Sequence, residues 1–233
     1  MSYTLFIADV HLSQYNPDTA DIFLHFLQKN THQCDALYLL GDLFESWIGD
    51  DNDIPLYKQI AYSLKHLPIP KFFTHGNRDF LLGTQFARES DMVILPEEKV
   101  LNLYGQRVLI MHGDTLCTHD ISYQNFRKKT HQKWLQYLFL SLPICIRMHI
   151  ASHIRCHSNK LFNIIDVNQQ SVEEVMIRQR VNMLIHGHTH VPGIHDFYLE
   201  GKAAKRIVLG NWYKGASIIQ FDINGVNLIK YSF

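Results

Sequence analysis

Cysteine is scarce in this chain of 233 residues, and the four present, Cys34, Cys117, Cys145 and Cys156, show no C-x-x-C spacing. That excludes a dense disulfide framework and a thiolate zinc site, and fits a reducing compartment with the cysteines as ordinary packing residues. An excess of one charge is equally missing. Lys plus Arg and Asp plus Glu stand at 22 each, so no general affinity for nucleic acid or anionic surfaces follows; any such affinity has to be local. No apolar run is long enough to span a bilayer. The longest, residues 135–146, is interrupted by Gln136, Ser141 and Pro143. Nor does a charged leader with an apolar core open the chain, because residues 3–8 run directly into Asp9; the expected location is cytoplasmic. Internal repeats and low-complexity tracts are absent.

What is present is a periodic α/β pattern. Five short runs, residues 3–8, 36–40, 71–74, 107–111 and 181–185, carry the β-branched and aromatic residues of buried strands. Asn16-Pro17 opens a helix with Ile22, Phe23, Phe26 and Leu27 at helical spacing, and Pro55 opens another that Pro68 and Pro70 stop. Ser171 and Glu174 form a capping box for a third, and residues 217–221 and 226–231 read as a closing β-hairpin. With 46% hydrophobic residues, the length suits one domain, 1–233, carrying an insertion. The insertion is residues 121–165. It has no Asp or Glu, yet holds Arg127, Lys128, Lys129, Lys133, Arg147, Arg155 and Lys160 among Phe126, Trp134, Tyr137, Leu138, Phe139, Leu142 and Ile146. Pro143 divides it into an expected two-helix hairpin standing over the site.

Each strand-like run ends on a group that binds metal: Asp9 with His11, Asp42, Asn77, His112, then His188 with His190. In α/β folds, sites form just beyond the carboxyl ends of strands, so these seven distant residues are expected at one rim. A carboxylate such as Asp42 bridges two ions held about 3.5–4 Å apart. Imidazole, carboxylate and amide together favour borderline-hard divalent ions such as manganese, iron or zinc. The expected chemistry is two-metal hydrolysis.

The order Asp-x-His, Gly-Asp, Gly-Asn-x-Asp, His-Gly-Asp, Gly-His-x-His resembles the calcineurin-like metallophosphoesterase superfamily. The resemblance implies an α/β (α+β) sandwich of two mixed sheets flanked by helices. It implies one ion on Asp9, His11, Asp42 and His190, a second on Asp42, Asn77, His112 and His188, and a metal-activated hydroxide as nucleophile. Many members have His where this chain has Arg78. Arginine is a poor proton donor but pairs bidentately with phosphate, which points to a pyrophosphate bond, whose phosphate leaving group needs no acid.

Longer strings narrow the likeness: Leu40-Gly41-Asp42-Leu43-Phe44-Glu45, Trp47-Ile48-Gly49-Asp50-Asp51, Gly76-Asn77-Arg78-Asp79-Phe80-Leu81-Leu82-Gly83, His112-Gly113-Asp114-Thr115-Leu116-Cys117-Thr118 and Ile185-His186-Gly187-His188-Thr189-His190. Together they resemble the UDP-2,3-diacylglucosamine pyrophosphatase family of lipid A biosynthesis over nearly the whole chain. That resemblance implies a hydrolase with two manganese ions that releases UMP and 2,3-diacylglucosamine 1-phosphate. It also implies a monomer, peripheral on the cytoplasmic face of the inner membrane and without nucleic-acid partners. Asn77, Arg78 and His112 would be catalytic; Asn77, Arg78, Asp120, Ser158, Asn159, Lys160 and His188 would contact substrate. The insertion would shelter the acyl chains, with its uncompensated cations facing anionic headgroups. Two departures stand out: the segment after Ser158 is several residues shorter than the family pattern, with Asn163 a further candidate contact, and Val191 replaces a usual Arg. The alternatives are a metallophosphoesterase for soluble nucleotides or dinucleotides, and a non-catalytic lipid-binding scaffold.

Overall fold

The computed structural model describes residues 2–30, 34–160, 166–213 and 215–231, without the side chains of 156–160 and 231. The first half runs β1 (Tyr3–Ile7), α1 (Pro17–Asn30), β2 (Cys34–Leu40), α2 (Pro55–Lys65), β3 (Lys71–Thr74), α3 (Thr84–Glu89), β4 (Val93–Ile94), β5 (Lys99–Leu103) and β6 (Gln106–Ile110). Then follow α4 (Ile121–Thr130), α5 (Lys133–Leu140), α6 (Ile144–Lys160), α7 (Gln169–Gln179), β7 (Met183–His186), β8 (Gly193–Leu199), β9 (Lys202–Val208), β10 (Ala216–Asp222) and β11 (Gly225–Tyr231).

Alternation along the strands explains the layering. Leu5, Ile7, Leu37, Leu39 and Phe73 pack outward against Phe23, Leu27, Ile60 and Leu64 of α1 and α2, while Phe6, Ala8, Tyr38 and Leu40 face inward. On the second sheet Val108, Ile110, Ile185 and Ile207 face inward to meet them, and Leu109 and Leu184 pack outward on Val172, Val175 and Met176 of α7. Strands covered on both faces read as continuous apolar runs, which is why the sequence shows runs rather than clean alternation. The result is a mixed six-stranded sheet, β11-β10-β1-β2-β3-β4, stacked on a mixed five-stranded one, β5-β6-β7-β9-β8. The expected two-sheet sandwich is the observed architecture, and the closing hairpin is β10–β11, paired from Ala216↔Tyr231 to Asp222↔Gly225.

Four expectations change. The insertion forms three helices, not a two-helix hairpin, because the chain turns at His131–Gln132 as well as at Pro143. Its arginines are not uncompensated: Arg127 pairs with Asp114 and Glu97, Arg147 with Asp51, and Arg155 with Glu45, all acids from outside the insertion. The α7 cap is Asn168, whose side chain accepts from the Gln170 N–H at 2.9 Å; Ser171 instead bonds Thr118. An Asx side chain reaches that N–H from β-region backbone, and the helix therefore starts earlier. Cys34 and Cys117 are buried as packing residues, but Cys145 is exposed; the Cys156 side chain lies outside the described residues.

Candidate dimetal centre

The loops after β1, β2 and β3 from one sheet and after β6 and β7 from the other meet at one rim. Neighbouring loops are zipped by backbone bonds, Asp9 N–H to Gly41 O at 3.1 Å, His11 N–H to Asp42 O at 3.0 Å and Gly187 N–H to His112 O at 2.8 Å. Two more bonds cross between the sheets. His188 N–H donates to Asp9 Oδ2 at 2.9 Å, and His112 Nδ1–H donates to Leu40 O at 2.9 Å. Gly41 sits at φ +84°, and a Cβ there would lie 2.6 Å from His112 Nδ1, so only glycine lets the β2 loop touch the imidazole.

Five of the seven expected ligands, Asp9, His11, Asp42, His188 and His190, hold left-handed backbone, with φ from 51° to 69°. A non-glycine residue pays for that conformation, and such strain persists where surrounding structure over-determines it, commonly at functional sites. The turn it produces aims alternate residues such as Asp9 and His11 at the same point.

Donor atoms of Asp9, His11 and His190 lie within 4.8 Å of one another, and so do those of Asp9, Asp42 and His112. Asp42 faces both groups, Oδ2 at 4.0 Å from His11 Nε2 and Oδ1 at 3.7 Å from His112 Nε2. Asn77 Oδ1 is 3.0 Å from His112 Nε2 and 2.9 Å from His188 Nδ1. Asp9, His11, Asp42 and His112 are buried; Asn77, His188 and His190 are half-buried.

The donor set fits cations. His11 Nδ1 faces the Glu45 carboxylate at 3.1 Å and so carries the proton, which turns the Nε2 lone pair toward His190 Nε2, 3.1 Å away. Two ligands about 2.1 Å from one ion at right angles stand roughly 3 Å apart. His112 likewise donates from Nδ1, which leaves its Nε2 lone pair facing the Asn77 amide oxygen. Asp9 Oδ1 is buried with no hydrogen-bond donor. Acceptor oxygens and imidazole nitrogens converging on one point are what a divalent ion satisfies, displacing the protons that the nitrogens hold without it.

The field has the same sign. Burial lowers the affinity of His112 for a proton, but Asp42, Asp9 and Asp114 outweigh it and push the pKa up to about 9. Burial alone would raise the Asp9 carboxyl; the His190 imidazole 3.4 Å from Oδ1 and the charges of His112 and His11 hold it well below the carboxylate range. Burial, followed by the charge of His112, drops His188 to about 4.

Asp79 is not the ion-pair partner that its place beside Arg78 allowed. Its carboxylate accepts backbone N–H groups of Asp42 at 3.2 Å, Leu43 at 2.7 Å, Phe44 at 3.4 Å and Gly76 at 2.9 Å, so it ties the β2 and β3 loops together. The Arg78 guanidinium therefore has no ion-pair partner among the described residues and lines a cavity. That cavity, about 380 Å³, runs from Asn77 and Arg78 between Trp47, Ile48, Phe80 and Leu81 on one side and Leu135, Leu138, Phe139, Leu142, Ile150 and Ile154 of the insertion on the other. Its volume falls in the range of ligand pockets, about 300–1,000 Å³.

Asp120 caps α4, one carboxylate oxygen accepting the Tyr123 N–H at 2.8 Å. The Ser158, Asn159 and Lys160 side chains, and Asn163, lie outside the described residues. Sequence reading missed Glu45, which holds His11, and Asp114, which accepts from Tyr123 and Arg127 Nε. Both sit inside the quoted strings, Glu45 three residues after Asp42 and Asp114 two after His112, and that nearness was the available signal.

The model of the calcineurin-like phosphoesterase family matches residues 3–192. The UDP-2,3-diacylglucosamine hydrolase of Enterobacter sp. (strain 638) is 52% identical over 238 aligned residues, covering 99% of each chain, and that of Escherichia coli O7:K1 is 51% identical with the same coverage. Among solved structures, an archaeal phosphodiesterase aligns with TM-score 0.50 at 14% identity, over 98% of this chain and 99% of that one. A Thermotoga maritima protein aligns with TM-score 0.51 at 15% identity over 100% of both; these two likenesses concern the fold. With strand-end carboxylates and imidazoles gathered at one rim and relatives matched end to end, the chain belongs to the calcineurin-like phosphoesterases and, within them, to the family of the UDP-2,3-diacylglucosamine hydrolases.

Proposed function

We propose that the chain hydrolyses the pyrophosphate bond of UDP-2,3-diacylglucosamine, releasing UMP and 2,3-diacylglucosamine 1-phosphate. The observation that carries this reading is the apolar cavity under the insertion, which ends on Asn77 and Arg78 beside the carboxylate and histidine cluster. An acyl chain leaves water there while a diphosphate reaches the cations. Two manganese ions held by Asp9, His11, Asp42, Asn77, His112, His188 and His190 would supply Lewis acidity and an acidified water. Arg78 pairs with the diphosphate oxygens and offsets the charge that grows as the bond breaks. The leaving phosphate, with a second pKa of about 6, needs no proton from the protein. Asp120 keeps its uncapped oxygen for the sugar, and Ser158, Asn159 and Lys160 complete that region.

The face turned away from the cavity fits a bilayer surface. Trp134 and Tyr137 are 64% and 77% exposed, beside Lys128, Lys129 and Lys133, which have no ion-pair partner among the described residues. No helix among the described residues is long and apolar enough to cross a membrane. A peripheral contact with the anionic inner leaflet answers to both features.

The deciding experiment is a turnover assay with the diacylated substrate, with and without manganese, against UDP-GlcNAc. Manganese-dependent release of UMP from the diacylated substrate alone is expected. Equal rates on UDP-GlcNAc would replace this reading with a soluble sugar-nucleotide hydrolase.

A further inference from the structure

The donor cluster and helix α6 of the insertion share one side chain. Glu45, in the loop after β2, places Oε2 3.1 Å from His11 Nδ1 and Oε1 3.1 Å from Arg155 Nη1 on α6. Arg155 also donates to the Glu45 backbone carbonyl. Tyr213 donates its hydroxyl to Oε2 at 3.2 Å and stacks its ring on the His11 imidazole, centroids 5.6 Å apart and planes within 9°. One carboxylate is thus shared, one oxygen to the insertion and the other to an imidazole of the donor cluster. Burial works against the charged form, but the His11 bond and the charges of His11, Arg155 and Arg78 hold Glu45 down to about 2. With 21% of its side chain exposed, the carboxylate has water as an alternative partner, so its rotamer depends on what grips it.

We infer that Glu45 is a positioning residue that links the seating of α6 to cation binding at His11. This rests on the reading that the cluster holds a cation. With Arg155 in place, Oε2 is fixed 3.1 Å from His11 Nδ1, where its charge favours the proton on that nitrogen and so orients Nε2 toward the cluster. When α6 lifts, the carboxylate turns to water and His11 loses its fixed orientation. The linkage is reciprocal: whatever α6 seating contributes to cation affinity, the cation returns to α6 seating. Repulsion between guanidinium and cation would oppose the effect, but the Glu45 carboxylate stands between Arg155 and His11 at a part-exposed site, where solvent weakens charge more than it weakens orientation. A second tether supplies an internal control. Arg147 of α6 is held by Asp51 and by Ile48 O at 2.7 Å, with no contact to Glu45.

The test is hydrogen exchange of the α6 amides in the full chain, with manganese(II) and after chelation, alongside calorimetric titration of the metal. In the wild type, metal is expected to slow α6 exchange about threefold or more. That increment disappears in Glu45→Gln and Arg155→Gln and survives in Arg147→Gln, which speeds α6 exchange equally with and without metal. Glu45→Gln also weakens manganese binding about tenfold or more, as for other partners of a ligating histidine. Protection of the β1 and β2 amides reports that each variant is folded, and Arg155, on the insertion surface, is the variant least able to disturb the core. An increment that persists in Arg155→Gln, or is absent or reversed in the wild type, overturns the linkage and leaves the proposed reaction standing. Failure of the wild type to bind manganese overturns both.

Discussion

At the scale of single residues, the site works by leaving chosen groups unpaired. Asp79, beside Arg78 in sequence, spends its carboxylate on four backbone N–H groups, and the Arg78 guanidinium has no ion-pair partner among the described residues, as the proposed contact with diphosphate requires. Arg78→Ala is expected to lower kcat/KM about 10²- to 10³-fold, and Arg78→Lys to recover only part of it, because a point charge cannot form the bidentate pair. Steady-state kinetics on the diacylated substrate check this; full rescue by lysine would show that charge alone matters. Asp42→Ala removes the carboxylate that faces both donor groups. Its kcat/KM should fall by more than ~100-fold, the upper range for partners that merely hold a ligand. The circular dichroism spectrum should stay native, since Asp79 still ties the loops.

At the scale of elements, one substitution series separates the cap that Asp120 makes from the substrate contact proposed for it. Asp120 caps α4, and losing a cap costs about 1 kcal/mol. Asp120→Ala should therefore speed α4 amide exchange, while Asp120→Ser restores the cap; activity that stays low in the serine variant measures the contact with the sugar. Helix α5 buries none of its side chains, and its exposed Trp134 and Tyr137 adjoin Lys128, Lys129 and Lys133. In sedimentation with vesicles containing anionic lipid, Trp134→Ala combined with Tyr137→Ala should weaken binding, and Lys128→Glu with Lys133→Glu should remove roughly 1 kcal/mol for each lysine lost. Binding unchanged by either pair would send the insertion back to a purely intramolecular role. Why the insertion's helix count and ion pairs escaped the sequence is clear at this scale. The partners of Arg127, Arg147 and Arg155 come from Glu97, Asp114, Asp51 and Glu45, so a segment lacking acids looks uncompensated until the fold brings acids to it.

At the scale of the whole molecule, ions at the rim would clamp one sheet to the other, because Asp9, His11, Asp42 and Asn77 follow strands of one and His112, His188 and His190 follow strands of the other. Ligand at 100 times its dissociation constant adds about 2.7 kcal/mol per site. For a chain this size, each kcal/mol moves the thermal midpoint by roughly 2–4 °C. Removing metal with a chelator should then lower the calorimetric midpoint by about 5–10 °C per site, and manganese should restore it. Seven of the eleven described strands and the candidate donors that follow five of them were legible from sequence alone, with those strands' bounds within two residues of the ones expected, because both are local: an apolar run, then a turn bearing a donor; β4, β5, β8 and β9 were not anticipated. The seven donors could be named one by one for the same reason. What only the tertiary structure decided is who holds whom: that Asp79 serves the backbone, that Glu45 answers to both His11 and Arg155, and that the arginines of the insertion are paired. Those choices depend on distances between residues mostly far apart in sequence, from 13 positions for Arg127 and Asp114 to 110 for Arg155 and Glu45, and no local periodicity encodes them.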